Sequence, residues 1–182
     1  HHIVVGSIKK MKKLFKEKLK KQFSNFQVKK KTIQGAGRTD AGVHALAQCA
    51  NFNLDKKFTD YQILNGLNFH LGNEKIKISK VENVSEDFNA RFSKNKKTYC
   101  YQVYNTPSPS VLEGDYSIHV KQNLDIDAMN EAIVYFKGKH DFSSFRGRGC
   151  QAKSPIKSVE FTNIETSNDK IIFIFQAQSF LY

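Results

Sequence analysis

Residues 35–42 read Gly35-Ala36-Gly37-Arg38-Thr39-Asp40-Ala41-Gly42. Three glycines in this short run let the backbone turn tightly and let another molecule come close. The spacing rules out two phosphate-binding loops. A dinucleotide fingerprint needs Gly-x-Gly-x-x-Gly, and here the third glycine falls two positions late. Gly37 and Gly42 have the gap of a P-loop, but Val43-His44 follow where Lys-Ser/Thr is required. What remains is one carboxylate, Asp40, among small residues, with the Arg38 guanidinium two positions before it. Such a neighbour keeps a carboxylate ionised at neutral pH. An ionised carboxylate with an open face can act as a nucleophile or a base. Taken alone, the pattern favours an Asx turn, in which Asp40 only bonds its own backbone.

Working outward, Phe26–Ile33 before the loop and Ala47–Leu54 after it read as strands. Thr59 caps a short helix to Leu67. Lys75–Val81 places Ile76, Ile78 and Val81 in imperfect alternation. Phe88–Phe92 and Lys97–Asn105 follow as strand candidates, the second alternating Tyr99, Tyr101 and Val103 against Thr98, Cys100 and Gln102. Thr106-Pro107-Ser108-Pro109 breaks the chain. Asp125 caps a helix over 126–137 that Gly138 stops. Lys157–Thr166 and Lys170–Gln178 form a hairpin around Ser167-Asn168-Asp169. Strands alternate with helices and the last two pair in sequence, which makes an α+β fold. The break divides a half at 1–105, bearing the Gly-rich loop, from a half at 111–182.

Upstream of the loop the chain is strongly basic. Residues 1–31 carry eleven lysines and one acid, Glu17. The whole chain of 182 residues has a net charge of +12, so this segment holds most of the excess. Ile8, Met11, Phe15, Leu19 and Phe23 recur every three or four residues behind a Ser7 cap, predicting an amphipathic helix with a lysine face. A packed helix with a solvated face, an anionic membrane surface and nucleic-acid phosphate all fit that face. No apolar run approaches the roughly 20 residues that span a bilayer. Ile3-Val4-Val5 is too short for the core of a signal peptide, and His1-His2 matches the end of a purification tag. Cys49, Cys100 and Cys150 are odd in number and widely spaced, which argues against a disulfide scaffold or a zinc site and for a reducing cytoplasm. They are expected to be buried thiols without a chemical role.

Gly37-Arg38-Thr39-Asp40-Ala41-Gly42-Val43-His44-Ala45 resembles the signature loop of the TruA family of tRNA pseudouridine synthases. Three further blocks follow in that family's order. They are Asn89-Ala90-Arg91-Phe92-Ser93 with Lys97-Thr98-Tyr99-Cys100-Tyr101, then Gly138-Lys139-His140-Asp141-Phe142-Ser143-Ser144-Phe145-Arg146 with Cys150-Gln151-Ala152-Lys153-Ser154-Pro155, then Gln176-Ala177-Gln178-Ser179-Phe180-Leu181-Tyr182. The resemblance implies an isomerase that breaks the N-glycosidic bond of uridine and rejoins the base through carbon, at positions 38–40 of the tRNA anticodon arm. It implies no metal and no organic cofactor. Asp40 falls on the family's essential aspartate, which attacks the sugar or the base, and Tyr99 on its active-site tyrosine, which stacks on the target base. By the same resemblance Arg38 positions the loop, and Arg91 and Lys97 line the RNA path. Arg146 and Arg148 are weaker candidates, and His44 reads as structural. The implied fold is two split β-α-β (RNP-like) halves sharing one extended, mainly antiparallel sheet with a basic central cleft, working as a cytoplasmic homodimer and not on a membrane.

Two family segments have no counterpart here. One is a Tyr-Asp-Gly…Gly-Trp-Gln stretch before the first helix; this chain has no Trp. The other is His-Met-Val-Arg after Tyr182, whose arginine pairs with the aspartate. A protein ending at Tyr182 is expected to have weak activity or none, and an intact mass near 20.8 kDa would establish that end. A non-catalytic RNA-binding module of similar fold and a membrane-surface protein are the alternatives; the first does not need Asp40, and the second would hold liposomes in competition with tRNA.

Overall fold

In a computed structural model the described residues are 2–8, 33–37, 42–54, 57–72, 74–93, 96–150 and 152–181. They belong to two units, His1–Ser93 and Lys94–Tyr182.

In the first unit, β1 (His2–Ile8), β2 (Gln34–Gly35), β3 (Gln48–Asn51) and β4 (Ile76–Glu82) form an antiparallel sheet in the order β2-β3-β1-β4. Helix α1 (Asp60–Leu71) connects β3 to β4. Its start follows from a capping box: the Thr59 hydroxyl accepts from the Gln62 backbone N–H, and the Gln62 side chain accepts from the Thr59 N–H. The helix runs one turn beyond the expected Leu67, because Leu71 continues the buried stripe of Ile63 and Leu67. These side chains meet Ile33, Ala50, Phe52, Ile76, Ile78 and Val81 in one core. Leu67 and Leu71 are almost wholly buried, each contributing about 1.5–3 kcal/mol over an exposed position.

The uneven alternation of β4 has a cause in the register. Val4 faces Lys80 and Val5 faces Ile78, so Ser79 is an extra residue in β4 and Val81 returns to the core side after a bulge. A second shift between Gly6 and Ile8 leaves Ser7 unpaired in β1. Ser7, expected to cap a helix, is therefore a strand residue. The lysine-rich helix beyond Ile8 and the strand expected from Phe26 lie outside the described residues, apart from Ile33.

On its other edge β4 meets α1. The Asn68 amide donates to the Ile78 carbonyl at 2.9 Å and its oxygen accepts from the Ile78 N–H at 2.8 Å. One side chain thereby satisfies both backbone groups that a further strand would have bonded.

In the second unit, β5 (Lys97–Tyr104), β6 (Ile118–His119), β7 (Gly138–Asp141), β8 (Ile156–Ser167) and β9 (Lys170–Ala177) form a mixed sheet in the order β6-β5-β9-β8-β7. β5 and β6 are parallel; the other neighbours are antiparallel. Helix α2 (Ile126–Ile133) begins where the Asp125 carboxylate accepts from the Ala128 N–H. It stops short of the expected residue 137: residues 134–136 tighten into a 3₁₀ turn, and Gly138, at φ 110°, opens β7. Ile133 joins Val103, Val159, Ile171 and Ala177 in the core, and Phe136 packs against the rings of Phe142, Phe145 and Phe175. The expected hairpin forms, with Ser167 opposite Lys170 and Asn168 at φ 51° in the turn.

Among the described residues each unit has its own hydrogen-bonded sheet, where one sheet through both halves was expected. The units divide at Ser93 and Lys94, whereas the proline-containing stretch had suggested 106–110. The reason is pairing: β5 bonds along its whole length to β9, which carries residues 97–104 into the second unit.

Candidate active site

The Gly-rich loop follows β2, and its described entry is tied to β3. Gly35 pairs with Ala50, the Ala36 N–H donates to the Cys49 carbonyl at 2.9 Å, and the Gln48 amide donates to the Gly37 carbonyl at 3.4 Å. Gly42 resumes the described chain at φ 88°, a conformation that L side chains adopt at a cost. Arg38 and Asp40 themselves lie outside the described residues. His44, two residues past Gly42, is half-buried.

The turn after β4 follows a different logic from the strand expected over Phe88–Phe92. Asn89 organises it. Its carbonyl accepts from the Phe92 and Ser93 N–H groups, at 3.0 and 2.7 Å, and its side-chain oxygen accepts from the Arg91 N–H at 2.9 Å. Its own N–H donates to the Ser93 hydroxyl at 3.3 Å. The turn is then anchored on Asn51 at the end of β3. The Asn51 side-chain oxygen accepts from the Ala90 N–H at 2.8 Å, and its amide donates to the Phe88 carbonyl at 3.2 Å. Ala90 is buried, while Arg91 and Phe92 project outward, Phe92 being 75% exposed. The Arg91 guanidinium lies over the Phe92 ring, 5.5 Å from its centre.

In the second unit, Lys97 and Tyr99 stand two residues apart on β5, on one face, opposite Ala177 and Phe175. Tyr99 is 41% exposed, so it is no core aromatic. Phe180 meets its ring edge-on, with centroids 4.8 Å apart and planes at 81°. That contact fixes the plane of the phenol and leaves part of its surface open. Beside it, the Gln176 amide donates to the Thr98 hydroxyl at 3.0 Å, tying β9 to the start of β5.

Other candidates take structural parts. Arg146 donates from one guanidinium nitrogen to the Cys150 carbonyl at 3.2 Å and the Ala152 carbonyl at 2.8 Å, closing the loop between them. Asp141 accepts from both the hydroxyl and the N–H of Ser143, and these bonds hold its carboxyl below the usual range. Arg148 is exposed. The cysteines differ from expectation: Cys100 is exposed on β5, and Cys49 and Cys150 are half-buried. Burial, and secondarily the charge of Glu82, pushes the Cys49 thiol up, which makes it a poor nucleophile. No group of three His, Cys, Asp or Glu side chains gathers as a metal site among the described residues. Nor, among them, is any helix long and apolar enough to cross a membrane.

Comparison with known proteins decides the family. A family model described as tRNA pseudouridine synthase matches residues 6–93 and 132–182. The chain belongs to the tRNA pseudouridine synthase family. The tRNA pseudouridine synthase A of Anaplasma phagocytophilum (strain HZ) is 40% identical over 181 residues, covering 100% of this chain and 71% of the relative. Those of Ehrlichia canis (strain Jake) and Wolbachia pipientis wMel are 42% and 41% identical over 166 residues, covering 91% of this chain and 68% of each relative. The first stretch matched to the synthase family takes in the Gly-rich loop and the Arg91 turn; the second takes in the Arg146 loop and β7 to β9.

The reading from sequence missed the struts of this synthase: Gln48 and Asn51 on β3, Asn89 in the turn, and Phe180 against Tyr99. Each touches its partner across a sequence gap or through its own backbone, and none has a local pattern of its own.

Proposed function

We propose that the chain isomerises uridines at positions 38–40 of the tRNA anticodon arm to pseudouridine, with Asp40 as the nucleophile. The observation that carries this reading is the loop Gly37–Ala45 in a tRNA pseudouridine synthase, with its entry held by β3 and Gly42 at positive φ. The target base is stacked in the anticodon arm and must be extruded, at a cost of a few kcal/mol. Arg91 and Lys97 offset that cost through phosphate contacts. Tyr99, its plane fixed by Phe180, stacks on the extruded base and places its hydroxyl for proton transfer. Arg38 keeps Asp40 ionised.

The Asp40 carboxylate then attacks the sugar or the base, and the bond from N1 to the ribose breaks. The base turns, C5 bonds to the same ribose carbon, the bond to Asp40 breaks and frees the carboxylate, C5 loses its proton and N1 gains one. Product and substrate have the same atoms, so no external donor or acceptor is required. The same proposal takes in the split β-α-β character of the halves, a basic cleft, a homodimer and a cytoplasmic setting.

Release of tritium from C5-labelled uridine in tRNA tests the mechanism. Asp40→Asn is expected to lower release by on the order of 10³-fold or more; equal release from both proteins removes Asp40 from the chemistry. Tyr99→Phe keeps the stacking ring and loses the hydroxyl, so tRNA binding should hold while turnover drops by roughly 10²-fold. Unchanged turnover shows the hydroxyl to be dispensable.

A further inference from the structure

β3 is only four residues long, yet both of its ends carry side chains that reach elsewhere. Gln48 at its start holds the Gly37 carbonyl at the entry to the Gly-rich loop. Asn51 at its end holds the Phe88 carbonyl and the Ala90 N–H on either side of Asn89. The rise of a strand separates these two positions by roughly 10 Å. Arg91 is exposed and takes its place from a turn whose anchor is Asn51, and Ala90, next to it in the turn, is buried.

We propose that Asn51 is a positioning residue for tRNA: it sets the distance and register between the Gly-rich loop and the phosphate contact made by Arg91. The proposal rests on the reading of Arg91 given above. Asn51 touches neither substrate nor reacting atoms. It acts because its amide donates and accepts at once, which Ala cannot do and Asp does only by half.

The test measures steady-state kinetics and salt dependence on an unmodified tRNA transcript with the intact protein. Asn51→Ala should raise KM about five- to tenfold while kcat falls less than twofold, and should flatten the slope of log K against log salt by roughly the 0.7–0.9 of one phosphate contact. Arg91→Ala should do the same, and the double variant should be no worse than Arg91→Ala alone. Asn51→Asp, of the same shape and able to accept from Ala90, guards against misfolding and should raise KM by an intermediate amount. A merely structural role lowers the melting temperature with KM and salt slope unchanged, and that result overturns the proposal. So does strict additivity with Arg91→Ala. If Arg91→Ala weakens binding while both Asn51 variants leave KM unchanged, the positioning role falls and the phosphate contact stands. If Arg91→Ala is silent, the contact falls and the positioning role with it.

Discussion

Arg91 and Arg146 look alike in the sequence. Each stands beside an exposed phenylalanine, Phe92 or Phe145, in a segment that matches a family block. The structure gives them opposite duties. The Arg91 turn is built by others, Asn89 from within and Asn51 from β3, and its guanidinium lies outside over an aromatic ring. The Arg146 turn is built by Arg146, whose guanidinium bridges two carbonyls. A basic residue keeps all of its donors for a ligand when neutral side chains hold its backbone. When it holds the backbone itself, part of them is committed: Arg146 spends one guanidinium nitrogen on two carbonyls. Amide and arginine struts are thus alternative solutions to one problem, and they leave different shares of the guanidinium open.

The contrast can be broken by substitution. Arg91→Ala should lower kcat/KM about tenfold, the worth of one charge-assisted contact, with little change in melting temperature. Arg91→Lys should recover most of that loss, because a phosphate accepts a point charge. Arg146→Ala should act the other way round. The loss of about 1 kcal/mol should lower the melting temperature of its unit by roughly 4–8 °C, with KM little changed. Arg146→Lys should not fully rescue it, since its ammonium ends one bond short of the nitrogen from which Arg146 reaches both carbonyls. Equal behaviour of the two lysine variants in both assays would erase the distinction.

The smallest effect belongs to Asp141, in the same block as Arg146. Its carboxyl is held low first by the Ser143 hydroxyl and then by the Ser143 N–H. A depressed folded value means that the charged form stabilises the fold above the unfolded value near 3.9, and that this stabilisation disappears as pH falls through the folded value. Thermal melts of Asp141→Asn should therefore lie slightly below wild type at pH 7, and the gap should narrow as pH falls below the unfolded value near 3.9. A gap that stays constant through that fall assigns the difference to geometry and not to charge.

Elements with local signals were legible. Thr59 and Gln62 spell a capping box, and Ser167-Asn168-Asp169 spells a turn. Asp125 marked the start of α2, but the end of that helix lay with Gly138 and a tightened last turn. Where long-range pairing decides, the sequence was opaque. Ser7 reads as a cap only until β1 is seen to pair with β4. Ile118–His119 becomes a strand through Val103 and Tyr104 alone. Phe88–Phe92 looks like a strand because its apolar residues are counted, whereas Ala90 faces in, Phe92 faces out and Asn89 bends the chain. For the candidate site, the signature loop was readable as a string of residues, and Tyr99 as a strand position. Asn51 was not, because its partners lie 37 and 39 residues away.

The amide that Asn68 lends to Ile78 has an effect beyond bolting a helix to a strand. In the described sheet β4 is an outer strand, and bare outer strands recruit strands from other molecules. At its middle rung both hydrogen-bonding groups are already spoken for from within the fold. A stray copy of the protein, or an unfolded neighbour on the ribosome, finds no ladder to climb there. That protection of the Ile78 rung comes from a single carboxamide, at a position where a composition count would see only one more polar residue in a helix.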